Sequence, residues 1–304
     1  MPDHTTNLSV QAATEWVGVD WGSSNLTILT FGSENDGANT YAEGIADLPR
    51  SEIPTCLKQH LKELGIAFNT PILMCGMVGA RGGWLEAPYL DAPLRLRELS
   101  EYLIPVADDD LTLFLVPGVR IATGQVDVMR GEEVQARGWL EASQHQGEAT
   151  MCLPGTHSKW LTLVDDRVTG LETALTGELF ALLCQHSLLV SGGQTWDQQA
   201  FNAGVERSRS GSGLIHSLFS TRARVVAADY PAETASSYLS GLLIGSELME
   251  RGPGNKPADP LHLVGASPLL DYYANAANRL NIETLRWDGE EMVRLGLKAI
   301  WSER

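Results

Sequence analysis

The sequence has 304 residues, of which 43% are hydrophobic and 20% charged, a composition typical of a globular protein and not of a disordered chain. The formal net charge of −16 at pH 7 argues against nucleic acid or an anionic membrane surface as a partner. Four scattered cysteines without a C-x-x-C pair, and apolar stretches far shorter than the ~20 residues of a membrane span, favour reduced thiols in a soluble cytoplasmic protein.

The first predicted element is a β-hairpin over residues 15–29, whose first strand ends at Asp20. The turn that follows contains a glycine, two hydroxyls and an amide, at Gly22, Ser23, Ser24 and Asn25. A glycine lets the backbone approach phosphate oxygens, the turn supplies hydrogen-bond donors, and Asp20 can hold Mg²⁺, usually through water. The hairpin is therefore a candidate nucleotide-phosphate site, although an ordinary turn uses the same residue types.

Strands and helices alternate through the rest of the first half. The pattern predicts a strand at 39–48, a helix at 51–64 capped by Ser51, strands at 72–75 and 111–116, and a helix at 131–142. Arg81 lies in a glycine-rich loop after the second of these strands, and its planar guanidinium suits a carboxylate ligand. Trp84 and Tyr89 follow it and could form a wall against a sugar, or simply belong to the core.

A second strand–turn–strand arrangement begins near residue 149. Strands are predicted at 151–153, 159–164, 168–174 and 261–264, and helices at 177–188, 235–250 and 290–301. Gly155 and Thr156 occupy the turn after the first strand, and the late strand runs into Gly265, Ala266 and Ser267. We expect two lobes, 1–145 and 146–304, with the final helix (about 290–304) packing back between them.

The two glycine turns and the late strand resemble the layout of the actin, heat-shock chaperone and sugar-kinase superfamily. The resemblance implies an α/β protein with two ribonuclease-H-like lobes around a nucleotide cleft, the actin-like ATPase fold. It also implies bound ATP and Mg²⁺, with phosphate contacts from both turns and Lys159 and adenosine contacts from residues 265–267. Gly241 is expected in the helix near the adenine pocket, while Ala136, Gly138 and Gly296 suit two closely crossing helices.

Seven segments resemble the 2-dehydro-3-deoxygalactonokinases more specifically, and they occur in that family's order. They cover residues 20–25, 74–79, 83–89, 128–133, 153–160, 176–179 and 239–245. The resemblance implies ATP-dependent phosphorylation of the 6-hydroxyl of 2-dehydro-3-deoxy-D-galactonate, which gives 2-dehydro-3-deoxy-6-phosphogalactonate in galactonate catabolism. The partner is then a small sugar acid, and the chain could be a monomer or a homodimer.

The residue that accepts the hydroxyl proton stays open, because the turn at 154–157 contains no carboxylate. Glu133 is the first choice, slightly ahead of Glu132, since residues 130–133 resemble the Gly-x-Glu-Glu segment of the exopolyphosphatases, in which a glutamate at this point is catalytic. His157 can be a base or a phosphate contact. Glu178 is a third candidate for this role; it can also contact the substrate or only complete a helix start. Arg130, like Lys159, can serve phosphate or the substrate carboxylate.

Three other functions compete with this kinase. The nearest is a kinase for another keto-deoxy sugar acid or sugar. The second is an exopolyphosphatase-like phosphohydrolase, and the third is a chaperone-like ATPase. The loop set from Arg81 to Tyr89 favours a small-molecule kinase over the last two, and the chain leaves no room for a peptide-binding domain.

Overall fold

The computed structural model describes residues 14–32, 36–192, 195–228, 230–250 and 260–304. The contacts within the chain divide it into two units. The first comprises Met1–Tyr89, Glu98–Gly118 and Leu297–Arg304, and the second comprises Leu90–Arg97 and Val119–Gly296. This division differs from the predicted boundary at residue 145, because residues 119–145 and a short earlier segment group with the second unit. No helix within the described ranges has the length and apolarity that crossing a bilayer requires.

The first unit is built on a six-stranded sheet in the order β3-β2-β1-β4-β8-β7. Its strands are β1 (Thr14–Trp21), β2 (Leu26–Gly32), β3 (Gly37–Tyr41), β4 (Ile72–Gly76), β7 (Ile104–Val106) and β8 (Leu113–Leu115). β1 and β2 form the predicted antiparallel hairpin, and β1 pairs in parallel with β4, as β4 does with β8. The carboxyl ends of β1 and β4 therefore lie side by side at one edge of this sheet.

Helix α1 (Ile53–Glu63) covers this sheet and buries Leu57 and Leu61 against it. Two predictions for this region were wrong. The strand expected at 39–48 ends at Tyr41, because the amides of Ile45 and Ala46 donate instead to carbonyls of the hairpin turn. Helix α1 begins at Ile53 after Glu52, so Ser51 does not cap it.

The second unit repeats the arrangement of the first. Its six-stranded sheet has the order β15-β14-β11-β12-β13-β6, formed by β6 (Leu94–Arg95), β11 (Glu148–Leu153), β12 (Ser158–Val164), β13 (Arg167–Ala174), β14 (Leu261–Gly265) and β15 (Thr284–Asp288). Three antiparallel strands, β13, β12 and β11, are followed by two parallel ones, β14 and β15. A smaller sheet contains β5 (Tyr89–Asp91), β9 (Gly118–Ile121) and β10 (Asp127–Met129).

Eight helices of the described ranges belong wholly or mainly to this second unit. They are α2 (Glu132–Ser143), α3 (Thr176–His186), α4 (Gln198–Ser208), α5 (Leu214–Leu218), α6 (Ser220–Ala227), α7 (Ala235–Glu250), α8 (Leu269–Arg279) and α9 (Gly289–Ser302). Phe201, Ile244, Leu263 and Tyr273 pack together in a core between the sheet and helices α4, α7 and α8. The helices predicted at 131–142, 235–250 and 290–301 are thereby confirmed to within two residues.

Helices α2 and α9 cross in backbone contact, as their small residues predicted. A Cβ atom at Gly138 would lie 1.8 Å from the carbonyl oxygen of Met292, and one at Gly296 would lie 2.0 Å from that of Val134. Both distances are far shorter than a non-bonded contact between carbon and oxygen allows. Only glycine therefore fits at this crossing unless the helices move apart.

We expect Gly138→Ala to destabilise the protein by about 1–3 kcal/mol or more, because the added methyl overpacks the crossing. The sign of the change in the free energy of unfolding is informative, because replacing glycine by alanine inside a helix otherwise stabilises a protein by about 1 kcal/mol. Urea unfolding followed by circular dichroism measures the change. Gly82→Ala is the matched control, because a Cβ atom there meets nothing within 4 Å. Equal stability of the two variants would contradict the prediction.

Candidate functional site

The hairpin turn of the first unit is held in place from behind. The Gly22 amide donates to the Asn25 carbonyl (2.9 Å), and the Gly22 and Ser23 carbonyls accept from Ile45 and Ala46 (3.0 and 3.1 Å). The side chains of Ser23, Ser24 and Asn25 are exposed. The turn thus has a fixed backbone and presents its polar side chains outward.

Asp20 lies at the carboxyl end of β1, opposite Cys75 in the parallel register with β4. Its side chain is partly buried, and Oδ1 accepts a weak hydrogen bond from the Cys75 thiol at 3.7 Å. Gly76 follows with φ +89°, and a Cβ atom there would lie 2.7 Å from the Trp21 carbonyl oxygen and 3.1 Å from Asp20 Oδ1. The glycine therefore leaves space around the carboxylate that a side chain would fill, and a hydrated cation needs such space.

The three predicted substrate residues of the first unit differ in exposure. Arg81 is exposed, in the loop after the 3₁₀ turn Met77–Gly79. Trp84 is half-buried and packs against the core, with its backbone carbonyl bound by Arg50 Nε at 3.1 Å. Tyr89 is partly buried at the start of β5. Trp84 therefore has a packing role whether or not a sugar contacts it.

The glycine turn of the second unit packs directly on the start of α3. The Glu178 amide donates to the Thr156 carbonyl at 2.9 Å, and a Cβ atom at Gly177 would lie 2.4 Å from the Gly155 carbonyl oxygen. A Cβ atom at Gly155 itself would meet nothing within 4 Å. The turn is fixed on its inner side and open on its outer side, as a phosphate cradle requires.

His157 and Glu178 form a pair across this turn, with Nε2 and Oε2 2.5 Å apart. Both side chains are about 46% exposed. Glu178 belongs to the first turn of α3, yet its carboxylate bonds a side chain rather than a backbone amide. The structure therefore joins two of the predicted site residues.

Two adjacent glutamates open helix α2. Glu133 is fully buried, and both of its carboxylate oxygens accept from the Gly131 amide at 2.9 Å. Glu132 is partly exposed and accepts from the Arg130 amide at 2.9 Å. Burial, reinforced by the charge of Glu132, raises the pKa of Glu133 to about 8. Burial also raises the pKa of Glu132, against the opposing charges of Lys159 and His157.

Lys159 connects these glutamates to residues that the sequence did not single out. Its ammonium group, in a side chain only 7% exposed, donates to Thr173 Oγ1 at 3.0 Å. The Thr173 hydroxyl donates in turn to Asp127 Oδ1 at 2.6 Å, and its amide to Oδ2 at 2.7 Å. Arg130, two residues before Glu132, is also buried, at 8% exposed. The glutamates therefore lie in an environment of buried positive charge.

A pocket of about 290 Å³ opens beside the same turn. It is lined by Gly155, Thr176, Gly177, Phe180, Trp196, Ser236, Ser237, Ser240, Leu243, Ile244, Leu269, Tyr272 and Tyr273. Trp196 stacks on Tyr272 with ring centroids 4.2 Å apart. The volume is near the lower limit for small-molecule sites, about 300 Å³. Aromatic faces with a few hydroxyls at this size suit a flat heterocycle.

The predicted adenosine residues lie close to this pocket without lining it. Gly265 is next to Pro154, since a Cβ atom there would contact the proline at 3.8 Å. Ala266 and Ser267 are exposed, and the Ser267 hydroxyl, with Arg286, holds the pKa of Asp271 below its usual range. A Cβ atom at Gly241 would lie 2.0 Å from the Phe201 carbonyl oxygen, so this glycine serves the packing of α7 on α4.

One buried carboxylate, absent from the predicted residues, organises the pocket wall. Glu247 is 5% exposed and accepts hydrogen bonds from Trp160 Nε1 (2.7 Å), from the Tyr273 hydroxyl (2.5 Å) and from Thr176. Thr176 and Tyr273 line the pocket, whereas Trp160 follows the glycine turn on β12. The available sequence signal was an acidic residue placed among the apolar residues of α7.

We expect Glu247→Gln to lower the free energy of unfolding by about 2–3 kcal/mol. The glutamine side chain would place its NH₂ donor where an acceptor is needed, because several donors already point at the buried Glu247 carboxylate. Thr176 and Tyr273 also lose the carboxylate that anchors both of them. Urea unfolding followed by circular dichroism measures the loss of stability. Glu250→Gln, exposed at the end of the same helix, should behave as wild type. A wild-type-like Glu247→Gln would contradict this role.

The sequence comparisons agree on one family. A sequence model described as 2-keto-3-deoxy-galactonokinase matches residues 20–300. A probable 2-dehydro-3-deoxygalactonokinase of Rhizobium meliloti is 36% identical over 303 residues, covering 94% of this chain and 97% of the relative. The 2-dehydro-3-deoxygalactonokinase of Escherichia coli is 30% identical over 288 residues, with the same coverage.

Solved structures support the same assignment. A crystal structure of a Sinorhizobium meliloti protein assigned as a 2-dehydro-3-deoxygalactonokinase matches with a TM-score of 0.87 and 35% identity, covering 94% of this chain and 97% of that one. The ADPNP-bound activator of a Clostridium difficile 2-hydroxyisocaproyl-CoA dehydratase matches with a TM-score of 0.50 at 12% identity, over 95% of each chain, and shows the fold alone. The predicted α/β actin-like ATPase fold is confirmed. The chain belongs to the 2-keto-3-deoxy-galactonokinase family.

Proposed function

We propose that this chain transfers the γ-phosphoryl group of ATP to the 6-hydroxyl of 2-dehydro-3-deoxy-D-galactonate, in the cytoplasm, as a step of galactonate catabolism. Family membership supports the reaction class and the sugar acid. The residues of each unit support the assignment of roles below.

The pocket of the second unit is proposed to bind the adenine and ribose of ATP. Its aromatic wall, Trp196 and Tyr272, offers a face for the base, and Ser236, Ser237 and Ser240 offer hydroxyls. A volume of about 290 Å³ suits the nucleoside part of ATP better than the whole nucleoside triphosphate. Gly155 at its edge, open on the outer side, is the proposed start of the phosphate path, with Thr156 and Lys159.

Asp20 is proposed to hold Mg²⁺, and the turn of Gly22, Ser23, Ser24 and Asn25 to donate hydrogen bonds to phosphate oxygens. A carboxylate with free space beside it and an exposed polar turn fit a hydrated magnesium phosphate, since Mg²⁺ keeps several waters and takes one or two carboxylates. When bound, the magnesium nucleotide supplies the phosphoryl group and neutralises part of its charge. The protein's task is to position and shield these groups.

Glu133 is the proposed general base. It takes the proton of the substrate hydroxyl as the oxygen forms its bond to phosphorus and the bond to the departing ADP oxygen breaks. A base is most efficient when its pKa is near the working pH, and the raised pKa of Glu133, about 8, meets that condition. Glu132 and the His157–Glu178 pair are proposed to orient the groups around it.

The substrate is an anion and the protein is acidic, so local cations must bind it. Arg81 is proposed for the substrate carboxylate, because an exposed guanidinium can bind it through two parallel hydrogen bonds. Trp84 and Tyr89 are proposed as flanking walls of the sugar site. Arg130 is proposed to hold either the substrate or the transferred phosphoryl group near Glu132.

The observation that carries the proposal is the presence, in one unit, of an aromatic pocket, an open glycine turn and two adjacent glutamates, of which Glu133 is fully buried. A coupled ADP-release assay with purified protein, ATP-Mg²⁺ and a panel of keto-deoxy sugar acids tests it. We expect turnover with 2-dehydro-3-deoxy-D-galactonate and a 6-phosphorylated product by NMR. Release of ADP without any sugar acid, or action on polyphosphate alone, would overturn the proposal, and preference for another sugar acid would correct the substrate.

A further inference from the structure

Three side chains with metal-binding atoms meet in the first unit, apart from the residues proposed for catalysis. Cys56 and His60 are four residues apart on α1 and therefore share one face of the helix, and Glu43 reaches them from the loop after β3. Glu43 Oε2 lies 2.8 Å from His60 Nε2 and 3.1 Å from Cys56 Sγ. The three ligand atoms all lie within 4.8 Å of one another.

The surroundings of His60 fix its orientation as those of a metal ligand do. Its side chain is buried, and the Tyr41 ring packs against the imidazole with centroids 3.9 Å apart. The second ring nitrogen, Nδ1, is buried without a hydrogen-bond partner among the described residues, and Glu63 Oε2 lies 3.6 Å from it. Metal-bound histidines commonly direct their other ring nitrogen to a carboxylate in this way.

The kind of donor atom determines the kind of cation. One sulfur, one imidazole nitrogen and one carboxylate oxygen suit Zn²⁺, whereas Mg²⁺ and Ca²⁺ take oxygen ligands. The Glu43 side chain is 47% exposed, so solvent reaches the cluster from that side. A water molecule can therefore complete a tetrahedral set of four ligands.

We propose that Glu43, Cys56 and His60 form a zinc site in the first unit, separate from the magnesium site proposed at Asp20. The Cys56 thiol donates a hydrogen bond to Glu43 Oε2. Zinc binding forms the bond from the Cys56 sulfur to the metal and releases the thiol proton to solvent, without oxidation or reduction.

The site is connected to the hairpin turn by hydrogen bonds to backbone carbonyls. The Glu43 carbonyl accepts a hydrogen bond from Trp21 Nε1 at 2.9 Å. In the segment that follows Glu43, the amides of Ile45 and Ala46 donate to the carbonyls of Gly22 and Ser23. A cation that fixes Glu43 also fixes this supporting segment. Zinc therefore acts here as a structural ion that stiffens the turn between Asp20 and Asn25.

Titration of the full-length protein with Co²⁺ tests the site, because a cobalt–thiolate bond gives a charge-transfer absorption band that oxygen ligands do not. We expect one equivalent of Co²⁺ to produce the band, and we expect Zn²⁺ to remove the band by displacing the cobalt. Cys56→Ser should abolish the band, and Glu43→Gln, at an exposed position, should weaken binding at least about tenfold. Circular dichroism verifies that both variants fold.

Two controls separate this site from other metal-binding groups. Cys184→Ser removes a half-buried free thiol of α3 and should leave the band unchanged. Asp20→Asn should leave it unchanged as well, so a failure of the proposed magnesium site would not affect this result. A wild-type protein without the band, or a band that survives in folded Cys56→Ser, would overturn the zinc site.

Discussion

Replacing Glu133 by glutamine is expected to lower kcat by about 10²–10⁴-fold, the usual contribution of a general base, while nucleotide affinity stays close to that of the wild type. The side chain is fully buried and its carboxylate is bound by the Gly131 amide, so the amide of glutamine keeps the shape but cannot take a proton. Steady-state kinetics and calorimetric titration with ADP measure the two quantities. Wild-type turnover in Glu133→Gln would eliminate it as the base.

The same substitution should change how stability depends on pH. Glu133 has a pKa of about 8 in the folded protein and an ordinary value of 4.5. Protonation of Glu133 contributes its full stabilisation below about pH 4.5, and this contribution is lost as the pH rises towards 8. At pH 7 the free energy of unfolding is therefore about 3 kcal/mol lower on account of this group. The unfolding temperature of the wild type should therefore fall more steeply between pH 5 and 8 than that of Glu133→Gln. Parallel curves would show that the pKa is not raised.

Glu132→Gln is the matched control for this experiment. It removes the charge that, after burial, most raises the pKa of Glu133. The rise of kcat/KM with pH should therefore move to lower pH, with most of the activity retained. If Glu132→Gln abolishes turnover instead and Glu133→Gln does not, the two glutamates exchange roles.

Asp20→Asn is expected to reduce kcat/KM by about 10²–10³-fold and to raise the Mg²⁺ concentration needed for half-maximal activity. The asparagine has nearly the same size and keeps an oxygen for the Cys75 thiol, but it loses the charge that attracts the cation. The measurement is initial rate against Mg²⁺ concentration at saturating ATP.

Asp47→Asn provides the comparison, because Asp47 is an exposed acidic residue in the segment that supports the same turn. It should leave both the rate and the Mg²⁺ dependence unchanged. A normal Mg²⁺ dependence in a folded Asp20→Asn protein would show that the magnesium ligand is another residue.

Regular elements could be predicted because their signals are local. The hairpin of β1 and β2, the strands β11, β12 and β13, and the apolar helix α7 follow from periodicity and turn residues over short windows. Glycines that permit backbone contact, such as Gly138 and Gly296, were recognised through the resemblance to a superfamily in which two helices cross closely. The seven ordered family segments added the topology that periodicity alone does not give.

The parts that failed depend on contacts between distant residues. The expected strand at 39–48 stops at Tyr41 because Ile45 bonds Gly22, a partner 23 positions earlier in the chain. The pocket collects residues from α3, α7 and α8, and no window of sequence contains them together. Glu247 and Thr173 act only through such contacts, so their importance becomes visible once the second unit is folded.

The two-residue strand β6 has a consequence for aggregation. It pairs with β13 through Leu94 and Arg95, opposite Val168 and Arg167, and so covers the first two residues of β13 at one edge of the second sheet. An open edge strand can recruit another chain, and a short cover carrying a charged side chain blocks that pairing. A fragment cut at residue 119 or 146 would lose this cover, because β6 comes from the earlier part of the chain. Such fragments should self-associate, and dissecting the second unit requires residues 90–97 to be supplied with it.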